Sequence, residues 1–515
     1  MARKLVWTLC WMVAAGAPPA SAEEAGDERV ARLEAQMLAL GDELAALKHE
    51  GAVDRARMEE AQEEWSGLQR LLDRVTVGGY GSVRFDGNDL DAEENTFTFR
   101  RLVLTTEAQI APKLRFYSEI EYERFRQLEL EREVSVVDPT AGGPGLQVKQ
   151  EIEGTNGSEI ALEQAWLEYE IDPRLRLRTG AVLVPLGRFN INHDDNQWNL
   201  SRRTLVDRGS PVLPVKAAWD ELGVGFTGSF DLGEGGLDYQ LYVVNGATLE
   251  ATVEEKLATR AGKREKLELE GEFGIQNGTF SKDVKGAKAV AGRVAWQPLA
   301  GQEIALSFYR GRYTPDFLKN RAVDSFAVDG IARMLGFEIE GEYVYTRFHG
   351  LGDVARDFAR NALHSERANA SADDPLVESE IAFQMKGIAQ RKHGYWIELR
   401  RPFWLDLLPS GGFENPQLIP VLRFEQVFME DLITDLAFGD SGPAGVVETL
   451  DRNDATLYRS TLGLTWRPTP LVAFNAAWER TWTHEDSLDG LTNFLRADGS
   501  EDVHNSFLLG ASFGF

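Results

Sequence analysis

The stretch His504-Asn505-Ser506-Phe507-Leu508-Leu509-Gly510-Ala511-Ser512-Phe513-Gly514-Phe515 decides the fold. Read with period two, Phe507, Leu509, Ala511, Phe513 and Phe515 share one face, and Gly510, Ser512 and Gly514 share the other. A large apolar face backed by a small one suits a strand that meets lipid outside and a lumen inside and so closes a barrel.

Working upstream, the same alternation recurs. Leu114, Phe116, Ile120 and Tyr122 oppose Arg115, Glu119 and Glu121, and Leu175, Leu177, Ala181 and Leu183 oppose Arg174, Arg176 and Arg178. Phe337, Ile339, Tyr343 and Tyr345 oppose Glu338, Glu340 and Glu342; Leu462, Leu464 and Trp466 oppose Arg459 and Thr461. Segments of ten or so residues match a tilted membrane strand. Their number gives an all-β fold, a transmembrane antiparallel β-barrel of about 16 strands. Tyr117, Trp296, Tyr309, Tyr345, Phe348, Trp396, Trp466 and Trp482 near segment ends read as interfacial girdles.

Ala111-Pro112, Asp172-Pro173, Trp296-Gln297-Pro298 and Arg467-Pro468-Thr469-Pro470 read as tight periplasmic turns. Gln127–Ser158, Gly246–Gly286, Tyr313–Arg333, Gly350–Glu378, Ile433–Ala455 and His484–Val503 read as long extracellular loops, with a short helix expected at Glu254–Glu272.

The chain opens with Arg3 and Lys4, an apolar run from Leu5 to Ala17, and Ala20-Ser21-Ala22, a secretory signal over 1–22. The single cysteine, Cys10, lies inside it, which excludes disulfides and thiolate chemistry from the rest. Losing Arg3 and Lys4 takes the net charge from −27 to −29, against a nucleic-acid partner. Val30, Leu33, Met37, Leu40, Leu44 and Leu47 follow a 3-4 spacing, so 23–74 is expected to form a periplasmic α-helical coiled coil, and 75–515 the barrel.

Phe97-Thr98-Phe99-Arg100-Arg101-Leu102-Val103-Leu104 resembles the paired-arginine strand of the phosphate-selective porin O and P family. Glu163-Gln164-Ala165-Trp166-Leu167-Glu168-Tyr169, Gly180-Ala181-Val182-Leu183-Val184-Pro185-Leu186-Gly187 and Glu221-Leu222-Gly223-Val224-Gly225-Phe226-Thr227-Gly228 are similar to later stretches of it, with Leu186 where that family has Phe. The resemblance implies a sixteen-stranded homotrimeric porin in outer-membrane lipid with an anion-preferring pore, phosphate among its solutes.

A selective pore needs charge on its lumen face, and arginine suits phosphate because its planar donors engage two oxygens. The candidates are Arg84, Arg100, Arg115, Arg174, Arg176, Arg178, Arg293 and Arg459 on strands, with Arg100 favoured over Arg101 as the deeper of the pair. Arg188, Arg202, Arg203, Arg208 and Lys216 lie on 188–216, expected to be an inward-folded constriction loop. Glu119, Glu121, Glu338, Glu340 and Glu342 share the lumen, either pairing with the arginines or drawing cations; a general or cation-preferring porin is therefore the alternative. A tether binding peptidoglycan through the coiled coil is another. No G-x-S-x-G or H-E-x-x-H is present, no enzyme and no cofactor is expected, and His193-Asp194-Asp195 alone is too sparse for a metal site.

Overall fold

The computed structural model describes residues 29–46, 48–50, 58, 74–89, 95–124, 128–137, 145–154, 159–207, 212–216, 218–260, 263–278, 280, 283, 285–369, 378–384, 388–404, 413, 415–440, 446–483 and 503–515. The chain divides into two units, 1–74 and 75–515. The first is helical at 29–46 and 48–50, with Leu33, Met37, Leu40 and Leu44 exposed. A coiled-coil pairing is not seen in this single chain; the signal segment, Leu47 and most of the seam beyond it lie outside the described residues.

The second unit is a closed, sixteen-stranded antiparallel barrel. Its strands are β1 (Val75–Asn88), β2 (Thr96–Ala111), β3 (Leu114–Glu123), β4 (Glu159–Asp172), β5 (Leu175–Leu183), β6 (Asp220–Asp231), β7 (Gly236–Val244) and β8 (Ala289–Gln297). They continue as β9 (Glu303–Arg312), β10 (Ala322–Met334), β11 (Phe337–Phe348), β12 (Ala389–Arg400), β13 (Gln417–Asp440), β14 (Val446–Thr469), β15 (Val472–Thr483) and β16 (Val503–Gly514). Each pairs with the next, and β16 returns to β1 with Gly514 opposite Tyr80 and Ser506 opposite Asn88. Closure removes both sheet edges, which lipid cannot satisfy.

The outward residues are apolar and exposed: Leu306, Leu422, Leu462, Phe474, Phe507 and Phe513. Their inward neighbours are polar or small and buried, among them Ser307, Arg423, Thr461 and Ser512. Such an outer belt belongs in lipid.

The joints at Pro112-Lys113, Pro173-Arg174, Leu335-Gly336 and Pro470-Leu471 lie at the end that carries Val75 and Phe515. The other end holds the long connections, and several differ from the sequence expectation. The Glu254–Glu272 region is not helical: Thr248–Arg260 pairs antiparallel with Lys263–Gln276, which also takes Glu378–Gln384 alongside in parallel. Leu267, Leu269, Phe273 and Ile275 alternate along the chain with Lys266, Glu268, Glu270 and Glu272, a period of two that the density of charge obscured. Tyr313–Arg333 is mostly strand β10, and Ile433–Ala455 mostly the extended β13–β14 hairpin. Leu128–Val137 and Gly145–Gly154 form a hairpin within Gln127–Ser158. A helix, Leu351–Asn369, occupies Gly350–Glu378 and buries Leu351, Val354, Ala355 and Ala359 on one face. The His484–Val503 loop is, up to 502, outside the described residues.

Four of the expected girdle aromatics face inward instead. Tyr309, Phe348 and Trp396 are each 1% exposed, and Tyr117 stacks on buried Trp166 at 5.2 Å between centroids. An aromatic on the lumen parity of a strand packs against whatever fills the barrel, and here something does.

Candidate functional site: the lumen and its inward loop

The segment between β5 and β6 folds into the lumen. Gly187, at φ 74°, turns the chain inward, and a Cβ there would collide with the Glu342 carboxylate. Phe189 stacks on Trp198 at 4.5 Å, and both meet Trp396 of β12 edge-on. Val184, Leu186, Leu205, Val206, Val212 and Leu213 are buried with them.

Polar contacts fasten this loop around the wall. Ser82 of β1 donates to Asp195 at 2.6 Å; the Phe189 amide donates to Glu342 of β11; the Leu205 amide donates to Glu425 of β13 at 2.8 Å. Arg467 of β14 donates to the carbonyls of Asn196 and Trp198, and Arg423 to that of Arg202. These side chains face the lumen because period two puts them there, opposite the lipid-facing residues of the same strands.

The arginines expected to line the pore mostly find carboxylates. Arg178 meets Glu168 at 2.6 Å and lies 4.0 Å over the Trp166 ring; Arg115 meets the other oxygen of Glu168 at 2.9 Å. Arg176 pairs with Glu170 at 3.2 Å. Arg174 sits exposed in the β4–β5 turn, at the mouth rather than deep in the lumen. Arg188 joins Glu303 at 2.8 Å and also Glu340. Arg293 engages Asp329 with both terminal nitrogens and Glu303 at 3.3 Å. Arg202 bridges Asp86 (2.7 Å) and Glu479 (2.6 Å), and Arg459 meets Glu425 at 2.7 Å. Arg203 contacts Asp195 and Asp207 and donates to the His193 carbonyl. Lys216 is exposed, and Arg208 lies outside the described residues.

Arg84 pairs with Asp86 at 3.1 Å and reaches the Ser201 carbonyl. Beside it Arg100 makes no ion pair within 4.0 Å among the described residues, and with Ser82, Asp195, Ser201, Asn475 and Ser512 the two line a small cleft. The Nε atoms of Arg84 and Arg100 and the hydroxyls of Ser201 and Ser512 are buried there without hydrogen-bond partners.

Sequence reading missed three arginines. Arg101 is 1% exposed and pairs with Glu121 (3.2 Å) and Asp195 (3.4 Å). Arg400 links Glu338, Glu340 and Glu398; Arg423 links Glu398 (2.6 Å) and Glu425 (3.7 Å). Arg423 and Glu425 share the inward parity opposite Leu422 and Phe424, a signal present in the sequence. Arg101 was hidden by a bulge: Ser82 faces Arg101 and Val83 faces Phe99, so Arg100 is an extra residue and both arginines turn inward.

On the loop, burial opposes ionisation of Asp195, yet the Arg101 and Arg203 guanidinia hold its carboxyl well below the usual range. Burial alone would depress the His193 imidazole, but the neighbouring Glu163 carboxylate outweighs it and lifts the group to about 9.

No family model matches the chain. A stretch of 200 residues is 27% identical to an uncharacterized protein of Aquifex aeolicus (strain VF5), covering 38% of this chain and 38% of that relative. The chain thus spans well under half the length of the curated relative it matches. Among solved structures, OmpF of Salmonella typhi in complex with daunomycin aligns at 10% identity and TM-score 0.45, over 86% of this chain and 97% of that one. The anion-selective porin from Comamonas acidovorans aligns at 9% and 0.44 over 86% and 99%, and Pseudomonas putida OprB at 12% and 0.43 over 88% and 97%. The barrel itself rests on the strand circuit above.

Proposed function

We propose that this barrel is an outer-membrane porin, a channel rather than an enzyme, that passes small hydrophilic solutes by passive diffusion and prefers small anions, phosphate among them. The observation that carries the preference is the cleft of Arg84 and Arg100, where the Nε of each guanidinium and the Ser201 and Ser512 hydroxyls are buried without hydrogen-bond partners, although Arg84 also pairs with Asp86 and Asp195 lines one side. Donors of that kind suit an oxyanion, which accepts from several at once. The motif resemblance to the phosphate-selective porins agrees with this reading, which includes a homotrimer with its coiled coil in the periplasm.

A cation-preferring pore is the second reading. At the end carrying Val75 and Phe515, a cavity of about 630 Å³ is lined by Asp231, Glu234, Asp238 and Glu303 against Arg188 and Arg333. An acidic mouth enriches cations.

Reversal potential in a planar bilayer under a salt gradient separates the two, followed by phosphate titration against the chloride current. An anion-selective potential with phosphate block supports the first; a cation-selective potential excludes it. Pull-down of peptidoglycan by residues 23–74 tests the tether.

A further inference from the structure

His193 follows the first turn of the inward loop, and its sequence neighbours gave it too few partners for metal binding. The fold supplies them. Glu119 of β3, Glu163 of β4 and His193 come together with one ligand atom each, all within 4.8 Å of one another, and none of the three is more than 6% exposed.

Several features are those of a coordination site. The Nδ1 of His193 faces the Asn190 carbonyl at 3.1 Å, so that nitrogen carries a hydrogen and Nε2 points at the carboxylates, 3.2 Å from Glu163 and 3.6 Å from Asp194. A ligating imidazole is commonly oriented this way, by a carbonyl behind it. Glu119 is held in turn by Gln164 at 2.6 Å and by the Tyr117 hydroxyl. Glu163 is the extra residue of a second bulge, where Glu119 faces Gln164 and Ile120 faces Leu162; the irregularity turns Glu163 inward beside Gln164.

Charge points the same way. Arg101 is engaged with Glu121 and Asp195, and Arg203 with Asp195 and Asp207. Glu119, Glu163 and Asp194 surround one imidazole, with no Arg or Lys within 4.0 Å of their carboxylates among the described residues; Glu163 also shares a hydrogen bond with Glu121, and Arg101 acts on it from farther off. Independently of that count, one carboxylate oxygen of Asp194, the one nearer His193, is buried with no hydrogen-bond donor. A single proton on the imidazole cannot match three carboxylates; a divalent cation comes closer.

We propose that Glu119, Glu163, His193 and Asp194 form a binding site for a divalent transition-metal cation, of the Zn²⁺ or Mn²⁺ class. One nitrogen and carboxylate oxygens suit such ions. The site spans two wall strands and the inward loop, so the cation pins the loop to the wall. The proposal is independent of the solute that the pore passes.

The test uses the full-length, tag-free chain refolded in detergent and stripped with EDTA. After incubation with Zn²⁺ and desalting it should retain about one equivalent, and Co²⁺ in its place should give the visible absorption of a nitrogen–oxygen site. Glu163→Gln and His193→Gln, checked for barrel content by circular dichroism, should weaken Zn²⁺ binding on the order of tenfold or more. A flat Co²⁺ spectrum with substoichiometric Zn²⁺ in the wild type overturns the proposal. So does a folded Glu163→Gln or His193→Gln protein that binds Zn²⁺ as tightly as wild type, which makes the metal adventitious. Should both variants misfold, the wild-type stoichiometry and spectrum decide alone.

Discussion

Arg100 and Arg101 are adjacent in the chain, yet both turn into the lumen, because Arg100 is the inserted residue of a bulge facing Ser82 and Val83. Their surroundings then diverge. Arg101 is consumed by Glu121 and Asp195 and serves to hold the loop, whereas Arg100 faces the cleft it shares with Arg84. Two like residues one step apart thus take up a structural and a candidate solute-facing role.

If the cleft binds anions, Arg100→Ala should weaken phosphate block of the chloride current by about tenfold to a hundredfold, the loss of one charge-assisted hydrogen bond of roughly 1.5–3 kcal/mol. Arg176→Ala should do less, since Glu170 already occupies that guanidinium at 3.2 Å. Single-channel titration of both variants compares them directly. Equal effects, or none from Arg100, would remove the cleft from the permeation path.

Arg423 is 1% exposed and lies between Glu398 and Glu425, both 0% exposed. Arg423→Ala takes one of two guanidinium partners from each carboxylate, Glu398 keeping Arg400 and Glu425 keeping Arg459, so the cost should approach but not reach the roughly 3–5 kcal/mol of a fully broken buried pair. Arg333, half exposed beside Glu338, should cost no more than about 1 kcal/mol when replaced by Ala. Urea unfolding of the refolded barrels, followed by tryptophan fluorescence, should show the midpoint falling far more for Arg423→Ala. Similar midpoints would mean that water replaces the guanidinium in the lumen.

What the sequence made legible follows from which physical contrasts it carried. The lipid and lumen faces differ so sharply in polarity that Leu114 to Glu123 or Leu462 to Trp466 could be read as strands, and their pattern gave the barrel and its approximate size. One inserted residue leaves no compositional mark, so the bulges at Arg100 and Glu163, which re-aim four side chains, could not be seen. Trp396 and Tyr309 looked like girdle residues because an aromatic near a strand end suits the interface as well as a packed lumen. At 248–276 the density of Glu and Lys suggested a solvated helix, although Leu267, Leu269, Phe273 and Ile275 keep a strand's period of two. Part of the inward arginine set was legible, without Arg101, Arg400 and Arg423, and its pairing was not, since Glu398 lies on a strand whose register only the fold brings beside Arg423.

Gly187 is the hinge through which the loop enters the lumen, and its φ of 74° is unfavourable for any residue with a Cβ. Gly187→Ala adds that cost, about 1 kcal/mol, to a collision with Glu342, which also receives the Phe189 amide and the Trp396 indole N–H. The loop should lose this anchor while the strand circuit persists. Expected outcomes are unchanged β content by circular dichroism and a noisier, larger single-channel conductance. A conductance identical to wild type would mean that the loop does not set the constriction.

The N-terminal helix leaves Val30, Leu33, Met37, Leu40 and Leu44 each more than half exposed, on one 3-4 seam. A single chain offers that stripe no cover among the described residues, and burying it between helices of separate copies is what such spacing achieves. If the seam drives self-association, Leu33→Asp with Leu40→Asp puts two carboxylates where leucines should interlock and should lower the oligomeric mass of the detergent-solubilised full chain. Light scattering with the detergent contribution subtracted reads the result. Because porin-type barrels can also associate through their walls, the informative comparison is the same double change in a chain starting at Val75 versus the full chain with and without it. A full-length variant that keeps the wild-type mass, while the truncated barrel keeps it too, would assign association to the barrel wall and leave the helix another partner.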